Sequence, residues 1–275
     1  MNMERKAMRY PKFAPLIVER CGKIQLFLGS VKTIQLRLMN IVITGASRGI
    51  GYELARLFAS NTNNKVVVIA RNRLKLEQLK RECQYQYPGA KIHPLVFDLA
   101  EGNLKHDLMR ELLSHISTVD ILINNAGALV NKPFEELSKE DIDTIYKVNV
   151  TSVFALIQAL FPYMGKGQQP THILNISSMG GFQGSVKFPG LSAYSSSKAA
   201  LASLTECLAE EFKGRNIAVN CLCIGAVQTE MFSQAFPGEK APMTPAQMAA
   251  FIRDFALAGP AYFNGKILPV TTTTP

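Results

Sequence analysis

A tyrosine and a lysine stand four residues apart in AYSSSKAAL, which runs from Ala193 to Leu201. Residues at i and i+4 share one face of a helix. A free phenol has a pKa of about 10, too high for proton exchange near neutrality. A cation held beside it favours the phenolate and lowers that value. Tyr194 with Lys198 therefore makes a device for giving a proton to a developing alkoxide and taking it back. The same spacing also occurs on ordinary surface helices, so its chemistry depends on what the rest of the chain brings to it. Two other places supply suitable groups. In NISSM (Asn175 to Met179) either Ser177 or Ser178 can donate a hydrogen bond to a carbonyl oxygen. Asn149 falls on an apolar stripe formed by Ile142, Ile145, Val153, Leu156 and Leu160. A buried amide must be hydrogen-bonded, and here it either ties down a neighbouring backbone carbonyl or holds a water that extends a proton relay.

These groups need a frame, and the hydrophobic pattern provides one. Short β-rich runs occupy Asn40 to Thr44, Lys65 to Ala70, Lys91 to Phe97, Asp120 to Asn124, His172 to Ile176 and Ile217 to Ile224, with a last one in GKILPV. KVVVIA is unbroken, as expected of a strand covered on both faces. Helical spacing separates the runs: Ile50, Leu54, Leu57 and Phe58, then Leu76, Leu79 and Cys83 closed by Pro88-Gly89, then a polar helix around Leu104 to Leu113. Ser138 and Asp141 make a capping box that opens a long helix toward Phe161. Alternation of this kind means right-handed crossovers and a parallel sheet. The predicted fold class is α/β, a Rossmann-type doubly wound parallel sheet of about seven strands with helices on both faces. It forms one domain over 39–270, with a basic extension over 1–38 and a tail over 271–275. In such a sheet ligands bind outside the carboxyl ends of the strands, which is where NISSM lies.

TGASRGIG (Thr44 to Gly51) follows the first strand and opens the first helix. Glycines there allow a tight turn and close backbone approach, and the helix N-terminus offers free N–H groups to a phosphate. Gly45, Gly49 and Gly51 are spaced G-x-x-x-G-x-G, which is neither G-x-G-x-x-G nor a P-loop. An acidic residue at the end of the second strand would bind a ribose 2′-hydroxyl, whereas an arginine accommodates a 2′-phosphate. The strand ends Ala70-Arg71-Asn72, and Arg48 in the glycine loop adds a second cation. Their joint placement favours NADP(H) over NAD(H), because guanidinium groups suit phosphate.

Other chemistries lack their residues. His93, His106, His115 and His172 are scattered, no metal cluster is formed, and no G-x-S-x-G elbow is present. No cysteine pair among Cys21, Cys83, Cys207, Cys221 and Cys223 has metal-ligand spacing. Cys221 and Cys223 alternate within an apolar run and read as small buried hydrophobes on one strand face. With no secretory signal ahead of them, reduced thiols and a cytoplasmic location are expected. No apolar run reaches the ~18 residues that span a bilayer, so no membrane role is expected. The chain carries a net charge of +9. Residues 1–38 hold eight Lys/Arg against Glu4 and Glu19, so most of that charge sits in the arm and the body is nearly balanced. Met39 opens a complete fold, so the arm is expected to be an extension, with a polyanion contact and a targeting peptide as the alternatives.

Taken together, these residues resemble the short-chain dehydrogenase/reductase family in its form of about 250 residues. TGASRGIG is similar to that family's cofactor loop, NNAG (Asn124 to Gly127) to its fourth-strand motif, and Asn149, the ISS serine and YSSSK to its Asn-Ser-Tyr-Lys active site. The resemblance spans Met39 to Thr229. It implies that Tyr194 is the general acid/base and that Lys198 lowers its pKa and holds the nicotinamide ribose. It implies that Ser178, rather than Ser177, polarises the substrate carbonyl, and that Asn149 positions Lys198 through water. It implies cofactor contacts from Gly45, Ser47, Arg48, Gly49, Ile50, Gly51 and Arg71. Asp98 and Leu99 would serve the adenine, Asn125, Ala126 and Gly127 the adenosine-side wall, and Gly225, Val227 and Thr229 the nicotinamide end. It also implies a homo-oligomer. The chain departs from the pattern in three places: Met179 to Ala193 is longer than usual, Ile224 replaces a proline before Gly225, and the end lacks a V-D-G-G-type segment.

The resulting expectation is an NADP(H)-dependent oxidoreductase acting on a small ketone, aldehyde or alcohol. The alternative is a sensor or scaffold that keeps the fold and binds NADP(H) without turnover. The segment Phe232 to Phe255, with Phe232, Phe236, Met243, Met248 and Phe251 and with Met231 just before it, reads as a lid over the substrate pocket, although core packing accounts for the same residues.

Overall fold

The computed structural model describes residues 38–272. The basic arm, apart from Leu38, lies outside the described residues, as do Cys21 and the last three residues of the expected tail.

Seven strands form one sheet: β1 (Asn40–Thr44), β2 (Lys65–Ala70), β3 (Lys91–Val96), β4 (Ile121–Asn124), β5 (Thr171–Ser178), β6 (Ile217–Ile224) and β7 (Ile267–Val270). All pairs are parallel, in the order β3-β2-β1-β4-β5-β6-β7. β3 is an edge, and it carries Pro94, which has no N–H to give to a second neighbour. The connections carry α1 (Gly49–Ala59), α2 (Arg73–Gln86), α3 (Met109–His115), α4 (Lys139–Tyr146), α5 (Ser152–Leu160), α6 (Ser192–Glu211), α7 (Glu230–Ala235) and α8 (Pro245–Ala258).

The two-residue period of a strand divides the core. Ile41, Ile43, Val66 and Val68 join Leu54 and Phe58 of α1 and Met248 and Ile252 of α8 on one face. Val42, Val67 and Ile69 join Leu112 of α3, Leu156 and Leu160 of α5 and Leu204 of α6 on the other. Coverage of both faces explains why β2 carries apolar residues at successive positions. Cys221 and Cys223 are buried together against Ala202, as small hydrophobes on one face of β6. His172 is buried, with Nδ1 to the Ala256 carbonyl and Nε2 to the Asn220 amide, a structural role. His93 instead stacks on His115 at 4.2 Å. Its Nε2 has no hydrogen-bond partner among the described residues, and burial lowers its pKa to about 4.

The long helix has an interior irregularity that its sequence pattern does not show. The Ser138/Asp141 capping box is formed, but between α4 and α5 the turn Lys147–Thr151 is a π-helix. Ser152 Oγ donates to the Val148 carbonyl at 2.7 Å, four residues back, within this widened turn. The extra residue shifts the phase of the helix. Ile145, Val153, Leu156 and Leu160 are buried as expected, whereas Ile142 is 39% exposed and leaves the stripe. The stretch Lys139–Tyr163 has the length and composition to cross a membrane, but its apolar side chains pack on the sheet.

The chain runs from β1 outward to β2 and β3, then returns to β4 on the other side of β1. The crevice of a doubly wound sheet lies at this reversal, outside the carboxyl ends of the strands.

Candidate active site and its family

A cleft of about 930 Å3 opens along the carboxyl ends of β1, β2, β4, β5 and β6. Gly45, Ser47, Arg48, Gly49 and Ile50 line it, as do Arg71, Asp98, Leu99, Asn125, Ala126, Gly127, Gly225, Val227 and Thr229. Of the residues expected at a cofactor, only Gly51 is not on its wall. Gly51 lies behind the loop, where a Cβ would stand 2.4 Å from the Gly45 carbonyl oxygen and 2.6 Å from Asn125 Nδ2. Gly45 has φ +70°, and a Cβ on it would stand 2.8 Å from Ala126 Cα. Only glycine fits both places, so a bare backbone faces the cleft at the start of α1.

The β4 loop is bolted to this cradle. Thr44 Oγ1 accepts from the backbone N–H groups of Asn125 and Ala126, both at 3.0 Å. Asn125 Nδ2 donates to the carbonyls of Thr44 at 3.0 Å and Gly45 at 3.3 Å. The Asn125 amide thus braces two strand ends as well as lining the cleft.

At the other end of the cleft, two elements, the end of β5 and the first turns of α6, present Ser178, Tyr194 and Lys198 together. The two serines differ in what each hydroxyl touches. Ser177 is buried, and its Oγ donates to the Lys198 carbonyl at 2.8 Å, where it braces α6. Ser178, at the end of β5, faces Tyr194, and its hydrogen bond favours the phenolate. Its Oγ also accepts from the Gly180 N–H at 3.1 Å.

Asn149 is fully buried at the π-turn. Its Oδ1 accepts from the Ala128 N–H at 2.8 Å, and its Nδ2 donates to the Ala128 carbonyl and to Ser197 Oγ, both at 2.9 Å. Ser197 in turn donates to the Tyr194 carbonyl at 2.7 Å. The side chain therefore ties the loop after β4 to α6, the first of the two uses open to it. Its Oδ1 and Lys198 Nζ both stand 3.5 Å from the point a Cβ on Gly127 would occupy.

The electrostatics differ from the expectation that Lys198 lowers the Tyr194 pKa. Burial raises the phenol above its ordinary value, and the Ser178 hydrogen bond opposes that rise. Lys198 Nζ donates to the Ile176 carbonyl at 2.9 Å and sits 5.9 Å from the Tyr194 ring centroid. Desolvation lowers the lysine itself from 10.5 to about 8. In this state the ammonium reaches past the ring to a backbone oxygen, so it does not dominate the phenol.

Residues 39–240 match the family model for short chain dehydrogenases. The chain belongs to the short-chain dehydrogenase/reductase family. It is 30% identical over 241 residues to a 3-oxoacyl-(acyl-carrier-protein) reductase of Thermotoga maritima, covering 83% of this chain and 94% of that protein. It is 34% identical over 194 residues to carbonyl reductase (NADPH) 2 of Sus scrofa, covering 70% and 73%. A short chain dehydrogenase from Escherichia coli CFT073, crystallised with NADPH, superposes with a TM-score of 0.75 at 26% identity, covering 84% of this chain and 95% of that one.

Around Ser178 and Tyr194 the cleft of this short-chain dehydrogenase/reductase is walled by residues of which the sequence indicates only a part. Met231, Phe232 and Phe236 line the cleft, as a lid would. The rest of the proposed lid does not. Met248 is fully buried in the core with α1, Phe251 is 44% exposed elsewhere, and Met243 packs against the core and bridges to Val227. Core packing claims the second half of that segment because α8 lies against α1. The long connection after Ser178 folds around Lys187, whose Nζ donates to the carbonyls of Gly180 and Phe182 and to Ser185 Oγ. It brings Met179, Phe188 and Leu191 to the wall. Lys75 and Glu230 also line the cleft and escaped notice in the sequence. Lys75 lies four residues after Arg71, a signal that could have found it. Glu230 acts with residues more than 150 positions away, for which the sequence holds no signal.

Proposed function

We propose that this protein is an NADP(H)-dependent reductase of ketones or aldehydes, reversible as an alcohol dehydrogenase. The observation that carries this reading is the convergence of Ser178, Tyr194 and Lys198 at one end of a cleft whose other end is a side-chain-free cradle. The residues fit a dinucleotide phosphate. Gly45 and Gly49 leave the backbone open at the amino end of α1, where N–H groups suit a pyrophosphate. Arg48, Arg71 and Lys75 supply cations on the same wall, as a 2′-phosphate requires. The NADPH bound to the E. coli relative and named for the pig relative supports the same choice. Asp98 and Leu99 would hold the adenine side, and Gly225, Val227 and Thr229 the nicotinamide side.

When bound, the cofactor supplies the hydride. The chain's own residues do the rest. Ser178 donates a hydrogen bond to the carbonyl oxygen and polarises it. Tyr194, held protonated by burial, gives its phenolic proton to that oxygen as negative charge develops. Lys198 keeps a cation or a neutral amine beside the phenol according to pH, since its pKa lies at about 8. Asn149 and Ser197 fix the start of α6, and with it the direction of the phenol. Met179, Phe188, Leu191, Met231, Phe232 and Phe236 make a largely apolar wall, which supports a substrate with an apolar group next to its carbonyl.

A cytoplasmic setting agrees with the free thiols of Cys83, Cys207, Cys221 and Cys223. Self-association is supported by Ile142 and Phe154, apolar side chains left exposed on the long helix. The test of the function is NADPH consumption against a panel of carbonyl compounds. Turnover is expected for carbonyls bearing an apolar substituent. Tight NADPH binding with no turnover on any of them would replace this reading with a nucleotide sensor.

A further inference from the structure

Two of the three cations on the cofactor wall already share an anion from the chain itself. Arg48 Nη1 stands 2.8 Å from Glu230 Oε2, and Lys75 Nζ stands 3.3 and 3.4 Å from Glu230 Oε1 and Oε2. The three residues come from three elements: the glycine loop, α2 and the first position of α7. The neighbouring residue strengthens the junction, because Thr229 Cγ2 lies 3.3 Å from where a Cβ on Gly49 would stand. Glu230 is half exposed, so an anion from solution can reach its partners. All three line the cleft, together with Met231 and Phe232, the next two residues of α7.

We propose that Glu230 is an anionic placeholder: its carboxylate occupies Arg48 and Lys75 until the cofactor's 2′-phosphate takes them, and the exchange releases the start of α7 at the substrate end of the cleft. This inference rests on the NADP(H) reading above and adds a residue that sets cofactor preference. The exchange has a driving force. A phosphate monoester carries between one and two negative charges near neutrality and offers three acceptor oxygens, against one charge and two oxygens for the carboxylate. Arginine and lysine gain charge-assisted hydrogen bonds when the phosphate replaces the carboxylate. A ligand without the 2′-phosphate leaves Glu230 in place, so α7 responds only to the phosphorylated cofactor. Lys75 thereby becomes a phosphate-binding residue.

The test compares adenosine 2′,5′-bisphosphate with ADP, which lacks the 2′-phosphate, by calorimetric titration of the full chain. In wild type the bisphosphate should bind more tightly than ADP. Glu230→Gln removes the competing charge while keeping the side-chain size. It should tighten the bisphosphate about 3- to 10-fold and leave ADP within twofold. Glu239→Gln is the control, because it removes a carboxylate from the same cleft wall without touching the cation pair. It should change neither affinity by more than about twofold. Hydrogen exchange at the amides of Met231 to Ala235 should quicken when the bisphosphate binds wild type and should not respond to ADP. Equal or weaker bisphosphate binding by Glu230→Gln, or equal tightening by Glu239→Gln, overturns the placeholder. The two failures are separable: a wild-type preference for the bisphosphate that Glu230→Gln does not increase defeats only the placeholder. No preference in wild type and none created by Glu230→Gln defeats the NADP(H) reading as well.

Discussion

Replacing Asn149 by alanine removes one amide and breaks three hydrogen bonds at the joint between the β4 loop, the π-turn and α6. The partners are affected unequally. Ser197 Oγ keeps its bond to the Tyr194 carbonyl, so its loss is small. The Ala128 N–H and carbonyl have no replacement in the fold, and an unmade bond at a buried group costs about 1–3 kcal/mol. Both Ala128 bonds are only partly buried, which lets water recover some of that cost. The expected loss is about 2–4 kcal/mol in all. For a domain of this size each kcal/mol lowers the melting temperature by about 2–4 °C. Urea unfolding of both proteins is the assay, and the midpoint should fall while the slope stays unchanged. Activity should fall further than folding alone explains, because a displacement near 1 Å at the reacting groups costs about 10²-fold. A stability loss below about 0.5 kcal/mol would refute the assignment of Asn149 as a brace.

Two further outcomes follow from the electrostatics. Arg71 is 77% exposed and its ion pair with Asp98 is long at 3.6 Å, so its guanidinium can reach a phosphate in the cleft. Arg71→Ala should weaken NADPH about tenfold, as one charged hydrogen bond of about 1.5 kcal/mol implies, and NADH by less than twofold. Fluorescence titration reads both, and similar losses would show that Arg71 does not meet the 2′-phosphate. Lys198 releases its proton near 8 in the fold instead of 10.5. Between those values the unfolded chain binds more protons, so this residue makes stability rise with pH across that window. Below about pH 8 the penalty of the buried ammonium is fully present, and above 10.5 it is gone. Wild type should therefore gain on Lys198→Met by up to about 3 kcal/mol between pH 7.5 and 10.5, measured by urea unfolding of the cofactor-free proteins at each pH. A stability difference that stays constant with pH would contradict the desolvated lysine.

The inner strands were legible because they are covered on both faces and so carry near-continuous apolar runs, as in β1 and β2. The glycine loop and the Tyr194–Lys198 pair were legible because their spacing is local. Asn149 was legible as a polar residue within an apolar stripe, although the π-turn beneath it was not, since one extra residue in a turn leaves no mark on a short pattern. Ser177 and Ser178 could not be separated from residue type alone, and the resemblance chose between them. Their partners differ in the structure: Ser177 Oγ donates to the Lys198 carbonyl, whereas Ser178 meets the Tyr194 phenol and the Gly180 N–H. Of the residues expected in a lid, Met231, Phe232 and Phe236 reach the cleft, while Met248 is just as apolar but sits on a helix that packs on α1. Glu230 was out of reach, because a carboxylate's partners on other elements are set by the sheet order and not by its own neighbours.

The central claim is that Tyr194 gives the proton to a carbonyl oxygen beside a bound nicotinamide. Tyr194→Phe removes one hydroxyl and keeps the ring that packs the cleft. With NADPH binding monitored alongside turnover of an accepted carbonyl substrate, the variant should bind NADPH within about twofold of wild type. It should reduce the substrate about 10²- to 10⁴-fold more slowly, the range of a lost general acid. Equal turnover by the two proteins would contradict the account.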